Sequence, residues 1–462
     1  MNNVATIPFR FGRLRSLSAF AGILADPLAA TRRLHGENGP YVILQYPHSR
    51  SAEPQLLPLV ADSGLYRTIA SNAEVWRAVN VSMRSFKNTA ASRLATGFTR
   101  LRGPQHAHYR RLVALTVSKP AVSSMSPKMA ALAMSRVASW PRNLAVDLMP
   151  AISALMQDQA IGLLFGGDRE RALPVAAMIG DCVAAAWPLP GRAYIKWLRT
   201  APRLERAINE WAEHKRGELN PKDIFSVLVN NMDENGNPPD KRIIGGILNF
   251  TFGAAYDTAQ NALAWTLLLL TQHPEIAARL TDEIDGALAG SLPTMDKIDS
   301  LPLLEGVVRE GMRLFPPVPL QFRRSLVDTR LGGAQIPAGT RVMISAWLIN
   351  RTPELYSEPE RFMPERWQAL DPAPFQYPVF GAGVRMCPGV AFGNQMTKIA
   401  LAAILSSYRI ELAPQAAIGY RTTITLTPHP ALPIVLREKS APRSFTPLSG
   451  PARHLVQLET PA

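Results

Sequence analysis

Two cysteines in 462 residues, Cys182 and Cys387, are too few for a disulfide framework or a zinc site built from several thiolates. They fit a reducing, cytoplasmic compartment and leave each thiol free to act alone. Runs of like charge are also missing. No stretch holds five consecutive Lys or Arg, no zinc-finger spacing occurs, and no basic strip is interleaved with aromatics, so nucleic acid is not an expected partner. Purely apolar runs are scarce as well. The longest mostly apolar stretch, Ile243 to Leu270, could span a bilayer, but it contains Asn249, Asp257, Gln260 and Asn261. An aspartate at mid-bilayer is costly, so the stretch reads as the central helix of a large core. Near the N-terminus, Arg10, Arg13 and Arg15 break the apolar runs, and neither a membrane anchor nor a secretory signal is expected there.

Acidic residues are in deficit: 36 Asp and Glu stand against 50 Lys and Arg, a formal charge of +14. A field of that sign steers an acidic partner toward a basic face. Apolar residues make up 47%, as a large globular core requires. No repeat or low-complexity linker divides the chain. Residues 1–25 read as an N-terminal extension, 26–436 as a single domain, and 437–462, rich in Pro, Ser and Arg, as a flexible tail.

A short helix is predicted from Asp26, closing by Gly36 and Gly39-Pro40, and then a strand over Tyr41 to Tyr46. Residues 70–100 are polar and Ser/Thr-rich, like a loop. From about 105 to 290 apolar residues recur at helical steps, and one helix opens at Pro274. After Pro316-Pro317 short strands alternate with turns, and a last long helix runs from Pro388 to about Tyr408. The fold class is mainly α with small β-sheets.

The segment Phe380 to Gly389 (FGAGVRMCPG) carries the strongest signal. Its glycines permit a tight turn, and Pro388 suits the start of a helix. A cysteine at a helix N-terminus beside Arg385 favours thiolate, the metal-binding form. The segment resembles the haem-binding signature of the cytochrome P-450 family, Phe-x-x-Gly-x-Arg-x-Cys-x-Gly, meeting all its fixed positions at Phe380, Gly383, Arg385, Cys387 and Gly389. The resemblance implies haem b (iron protoporphyrin IX) lying between the central helix and the helix after the cysteine loop. Cys387 would be the iron ligand, Phe380 would pack near it, and Arg385 would reach a propionate.

Further matches fall in the family's order. Glu310-Gly-Met-Arg313 resembles its Glu-x-x-Arg helix, and Arg366 is the expected third member of a structural triad. His106 and Arg110, four apart on one helix face, correspond to propionate contacts, as does Arg323, preferred by spacing over Arg324. Ala254-Ala-Tyr-Asp257-Thr258 resembles the oxygen-binding pattern, with Thr258 bonding oxygen or an ordered water and Asp257 linking to solvent. Ala255 stands where the family has glycine, and Tyr256 is bulky, so a less pronounced helix kink is expected.

Pocket positions carried over are Phe250, Ala254, Val318, Pro319 and Leu426, with residues around 80–100 and 175–200 as caps. Their apolar character implies a hydrophobic small molecule, oxidised with O2. No flavin or nicotinamide motif is evident, so electrons are expected from a ferredoxin-type donor with its reductase. The alternatives are a peroxide-using or non-oxygenase member of the fold, or a non-catalytic haem protein.

Overall fold

Residues 241–272 are apolar on nearly every face, and such a helix belongs in the interior. In the computed structural model, which describes residues 8–46, 55–79, 89–95, 97–185, 191–218, 222–232, 238–442 and 444–458, they form one unbroken helix, Lys241–Gln272. Asp240 caps it, accepting from the Arg242 N–H at 2.8 Å. At 1.5 Å per residue it is about 48 Å long. Helices Met149–Phe165, Arg169–Ala184, Pro302–Leu314 and Val390–Ser407 pack around it. Its buried amides are used inside the protein: Asn249 Nδ2 donates to Leu94 O at 2.9 Å, and Asn261 Nδ2 to Asp257 O at 2.8 Å. Among the described residues no helix is long and apolar enough to cross a membrane.

Four small sheets flank this helical body among the described residues. The largest runs in the order Phe9–Arg10, Tyr41–Tyr46, Gln55–Val60, Arg341–Ser345, Leu320–Ser325, Trp76–Ala78. The predicted strand at Tyr41 pairs antiparallel with Gln55–Val60, Tyr41 opposite Val60. The predicted last helix is present as Val390–Ser407, with Gly389 as its cap residue.

Three segments are more ordered than their composition suggests. Residues 70–100 contain the end of helix Ser63–Ser71, strand Trp76–Ala78 and helices Ala90–Leu94 and Gly97–Arg100; residues 80–88 and 96 lie outside the described residues. The polar residues that suggest a loop are caps, Thr89 accepting from the Ser92 N–H. The N-terminal extension adds Phe9–Arg10 as a parallel edge strand, and helix Arg13–Ala25 is tied down where the Ser16 hydroxyl accepts from the Gln45 N–H at 2.9 Å. The tail, expected to be flexible, docks. Leu448 N–H donates to Gln272 Oε1 at 2.7 Å, Arg351 Nη2 donates to Leu455 O at 3.0 Å, and Ala452 and Leu455 are buried.

The stretch leading to the cysteine is fixed by a buried charge. Glu310 and Arg313 have no exposure and share two hydrogen bonds of 2.8 Å. Arg366 Nε reaches Glu310 Oε1 at 3.0 Å, and Trp367 Nε1 reaches Oε2 at 3.0 Å, so the triad is assembled. Helix Pro302–Leu314 lies so close to residue 364 that a Cβ at Gly306 would stand 2.4 Å from Pro364 O. Glu310→Gln removes the counter-charge of two buried arginines and should cost about 3–5 kcal/mol of stability. Urea unfolding measures this; an unchanged midpoint would show that the triad does not hold the fold.

Candidate active site

Tight turns bring Cys387 back beneath Phe380. Gly381 and Gly383 have φ of 72° and 68°, the left-handed region open to glycine, and Cys387 N–H donates to Phe380 O at 2.7 Å. Gly383 is further constrained, because a Cβ there would stand 2.0 Å from Ala70 O on helix Ser63–Ser71. The loop thus presents Cys387 to a cavity of about 400 Å³.

Basic side chains gather at one edge of that cavity. His106 and Arg110 line it from helix Gly103–Thr116, and Arg323 from strand Leu320–Ser325. Arg324 points to the opposite sheet face, as strand alternation requires, which places Arg323 and not its neighbour at the cavity. Arg385 also lines it, but its guanidinium donates to Phe98 O and Leu101 O, both at 2.9 Å. Arg110 Nη2 donates to Met386 O and is the cation that acts on the thiol. Burial nevertheless pushes Cys387 up, with the Gly389 N–H and Arg110 pulling it down. The thiol is open to the cavity, and a metal ion bound there would deprotonate it.

Among the described residues, no Asp or Glu lines the cavity. Burial lowers Arg385, helped by repulsion from Arg323, Arg110, Arg102 and Arg77, and holds His106 down to about 4 together with Arg385 and Arg110. A cavity with one thiol, apolar walls and an uncompensated cationic edge fits haem b: a flat apolar body, an iron for the thiolate, two carboxylates for the cations. Arg110, Arg323 and His106 are the groups placed to take those carboxylates.

The facing wall is the central helix, through Phe250, Thr251, Ala254, Ala255, Thr258 and Ala259. Phe98 meets Phe250 edge-on at 6.5 Å. The Thr258 hydroxyl donates to Ala254 O at 2.8 Å. Asp257 does not line the cavity. Its Oδ2 accepts from Thr425 Oγ1 at 2.8 Å and its Oδ1 from Gln260 Nε2 at 2.7 Å; burial pushes its pKa up against those bonds and Arg421. The expected link from Asp257 to solvent is replaced by this lock on the C-terminal hairpin. At Ala255, where a glycine was expected, the helix continues without a break.

Two pocket residues are corrected. Pro319 and Leu426 are buried away from the cavity; Leu426 N–H donates to Pro317 O at 3.0 Å and its carbonyl accepts from Trp265 Nε1 at 2.8 Å. Val318, Leu320, Thr423 and Ile424 line it instead, the last two in the turn before Leu426. Ala78, Val79, Phe98 and Thr99 cap it from the earlier segment. None of the described residues of 175–200 line it, and 186–190 lie outside the described residues.

The basic edge has a pH signature. An unfolded His106 binds a proton below about 6.5, and the folded one only below about 4. Its contribution to stability is therefore complete above pH 6.5 and lost as pH falls toward 4. Carboxylates beside His106 raise its pKa, so haem-loaded protein should lose less stability across that window than haem-free protein. Melting temperatures of both forms between pH 7 and pH 4, with His106→Asn as reference, test this; parallel curves for the two forms would place the carboxylates elsewhere.

The family model for cytochrome P-450 matches residues 175–432. Cyclooctat-9-en-7-ol 5-monooxygenase of Streptomyces melanosporofaciens is 28% identical over 372 residues, covering 75% of this chain and 80% of the relative. Pentalenene oxygenase of Streptomyces avermitilis is 26% identical over 376 residues, 77% and 82% of the two chains. The crystal structure of the cytochrome P450DA heme domain superposes with a TM-score of 0.78 at 20% identity, covering 94% of this chain and 98% of that one, which shows the same fold. With the family model spanning more than half its length, this chain belongs to the cytochrome P-450 family, as a haem b monooxygenase.

Proposed function

We propose that this chain inserts one oxygen atom of O2 into a terpenoid-sized hydrophobic substrate, in the cytoplasm, drawing electrons from a ferredoxin-type donor and its reductase. The observation that carries the reading is the cavity between Cys387 and the central helix, apolar except for a few hydroxyls, one amide and the basic edge. Its walls suit hydrocarbon, and the two Streptomyces relatives are named for terpene substrates. Residues 26–436 with the docked segment 444–458 act as one catalytic domain.

Haem held by Cys387 supplies the redox chemistry that activates O2. The chain's own groups do the rest. Arg110, Arg323 and His106 orient the cofactor through its carboxylates. Phe380 packs beside the cysteine, and Arg385 ties the cysteine loop to residues 98–101. Phe250, Ala254 and Val318 exclude water and position the substrate. Thr258 places a hydroxyl on the cavity face, and Asp257, at the next position, holds the C-terminal hairpin through Thr425.

The donor docks beside the cysteine loop, where Val384 is exposed, on a chain whose formal charge of +14 favours an acidic partner. An acidic partner is steered there, so the rate of haem reduction should fall steeply as salt rises from low to high ionic strength. Stopped-flow reduction by a ferredoxin measures it, and indifference to salt would sink this docking mode.

For the haem-thiolate assignment the measurement is the carbon monoxide difference spectrum of the reduced protein. A strongly red-shifted Soret band is expected, and Cys387→Ala should abolish it. A band that survives the substitution would remove Cys387 as ligand, and the proposed chemistry with it.

A further inference from the structure

We infer that Thr251 is a specificity-determining residue that recognises an oxygen already present on the substrate; this rests on the oxygenase reading above. Threonines in helices ordinarily turn their hydroxyls back onto a carbonyl three or four residues earlier. Thr258 does so to Ala254 O, Thr266 to Ala262 O, Thr271 to Leu268 O and Thr397 to Gly393 O. Thr251 lies on the same helix as the first three, yet its buried hydroxyl has no partner among the described residues. An unpaired buried hydroxyl is costly, by about 1–3 kcal/mol, so a partner from outside the protein is favoured.

The cavity is where that partner comes from, because Thr251 is part of its wall. Three other polar side chains of the wall, Gln321, Thr258 and Thr397, are already engaged. Gln321 accepts from the Tyr66 hydroxyl at 3.0 Å and donates to Pro378 O at 2.9 Å, and the Thr258 and Thr397 hydroxyls are bonded back. Threonine has two accessible χ1 wells in a helix, so rotation about Cα–Cβ to the next staggered position offers the hydroxyl a way to the cavity without moving the backbone.

Position gives the proposal its chemistry. Thr251 and Thr258 are seven residues apart on one helix face, about 10 Å along the axis. Thr258 marks the end of the cavity where oxidation occurs. The substrate is then an alcohol or ketone on a hydrocarbon skeleton, its oxygen remote from the carbon that is oxidised. A reaction that installs that first oxygen must precede this one.

The test uses the full-length haem-loaded protein and two probes with one skeleton, farnesol and farnesene, titrated by the change in haem absorbance. Wild type should bind farnesol more tightly. Thr251→Val, nearly isosteric, should weaken farnesol about three- to tenfold and leave farnesene unchanged, and Thr251→Ser should restore farnesol binding. Thermal unfolding of the haem-free variant should match or exceed wild type, since an unpaired hydroxyl has been removed. Equal effects on both probes, or none on either, would overturn the role of Thr251 while leaving the oxygenase reading intact. Failure of wild type to bind either probe would overturn the hydrophobic-substrate reading, and this one with it.

Discussion

Glu310 is a full charge with no exposure to water, and five donors converge on it: Arg313 Nε and Nη2, Arg366 Nε, Trp367 Nε1 and the Met363 N–H. Removing a carboxylate from water costs several kcal/mol, recovered only when its hydrogen bonds are complete. The five donors come from one helix and from the segment 363–367, so satisfying the charge fixes those pieces together. Arg313 extends the lock through Asn350 O, Pro359 O and Arg361 O. Beyond Trp367 the chain passes directly to Tyr377, whose ring meets Trp367 at 5.0 Å and whose hydroxyl donates to Arg309 O at 2.9 Å. Phe380 and the cysteine loop follow at once. Glu310 thus anchors, through hydrogen bonds and an edge-on ring contact, the segment that leads to the cysteine loop.

A second constraint opposes the first. Arg110, Arg323 and Arg385 crowd one cavity edge with His106, and Arg77 and Arg102 are near enough to add repulsion. Within the sheet, Arg77 stands directly opposite Arg324, a like-charge cross-strand pair that disfavours folding. The polypeptide therefore holds an excess of positive charge that its own lining carboxylates do not relieve. The two carboxylates of haem b would relieve it, which would link cofactor binding to folding of this edge through charge as well as through the iron.

Much of this was legible in the sequence, for a physical reason. Cys387, Phe380, Arg385 and the glycines lie within ten residues, so local turn chemistry decides their arrangement. His106 with Arg110, and Glu310 with Arg313, follow from helix periodicity. Arg323 is preferred over Arg324 by its spacing to the Gly332-Gly333 turn, and strand alternation puts the two on opposite faces. Longer-range features were not legible. Leu426 was chosen for the pocket where Thr423 and Ile424 line it, because only the hairpin's register says which residues turn inward. The segment after 437 has no periodicity, yet it is held by Gln272 and Arg351, far away in the chain. The polar segment of 70–100 reads as loop from composition alone, although Thr89 in it caps the helix Ala90–Leu94.

The central helix shows why adjacent residues of one motif part company. Successive side chains on a helix point about 100° apart. Residues 251, 254, 255, 258 and 259 share the cavity face, while Asp257 and Gln260 turn toward the C-terminal hairpin. The cavity face carries small side chains and threonine hydroxyls. The carboxylate and amides, Asp257, Gln260, Asn249 and Asn261, are spent on neighbours inside the protein. An ionised or strongly hydrated group on the cavity face would bring water to the thiolate side and weaken binding of an apolar molecule. Dividing the polar groups by helix face keeps this wall of the cavity largely apolar while leaving the Thr251 and Thr258 side chains on it. The same division explains how an aspartate sits in the middle of so apolar a helix: it is bonded outside the cavity, where Thr425 and Gln260 make burial tolerable.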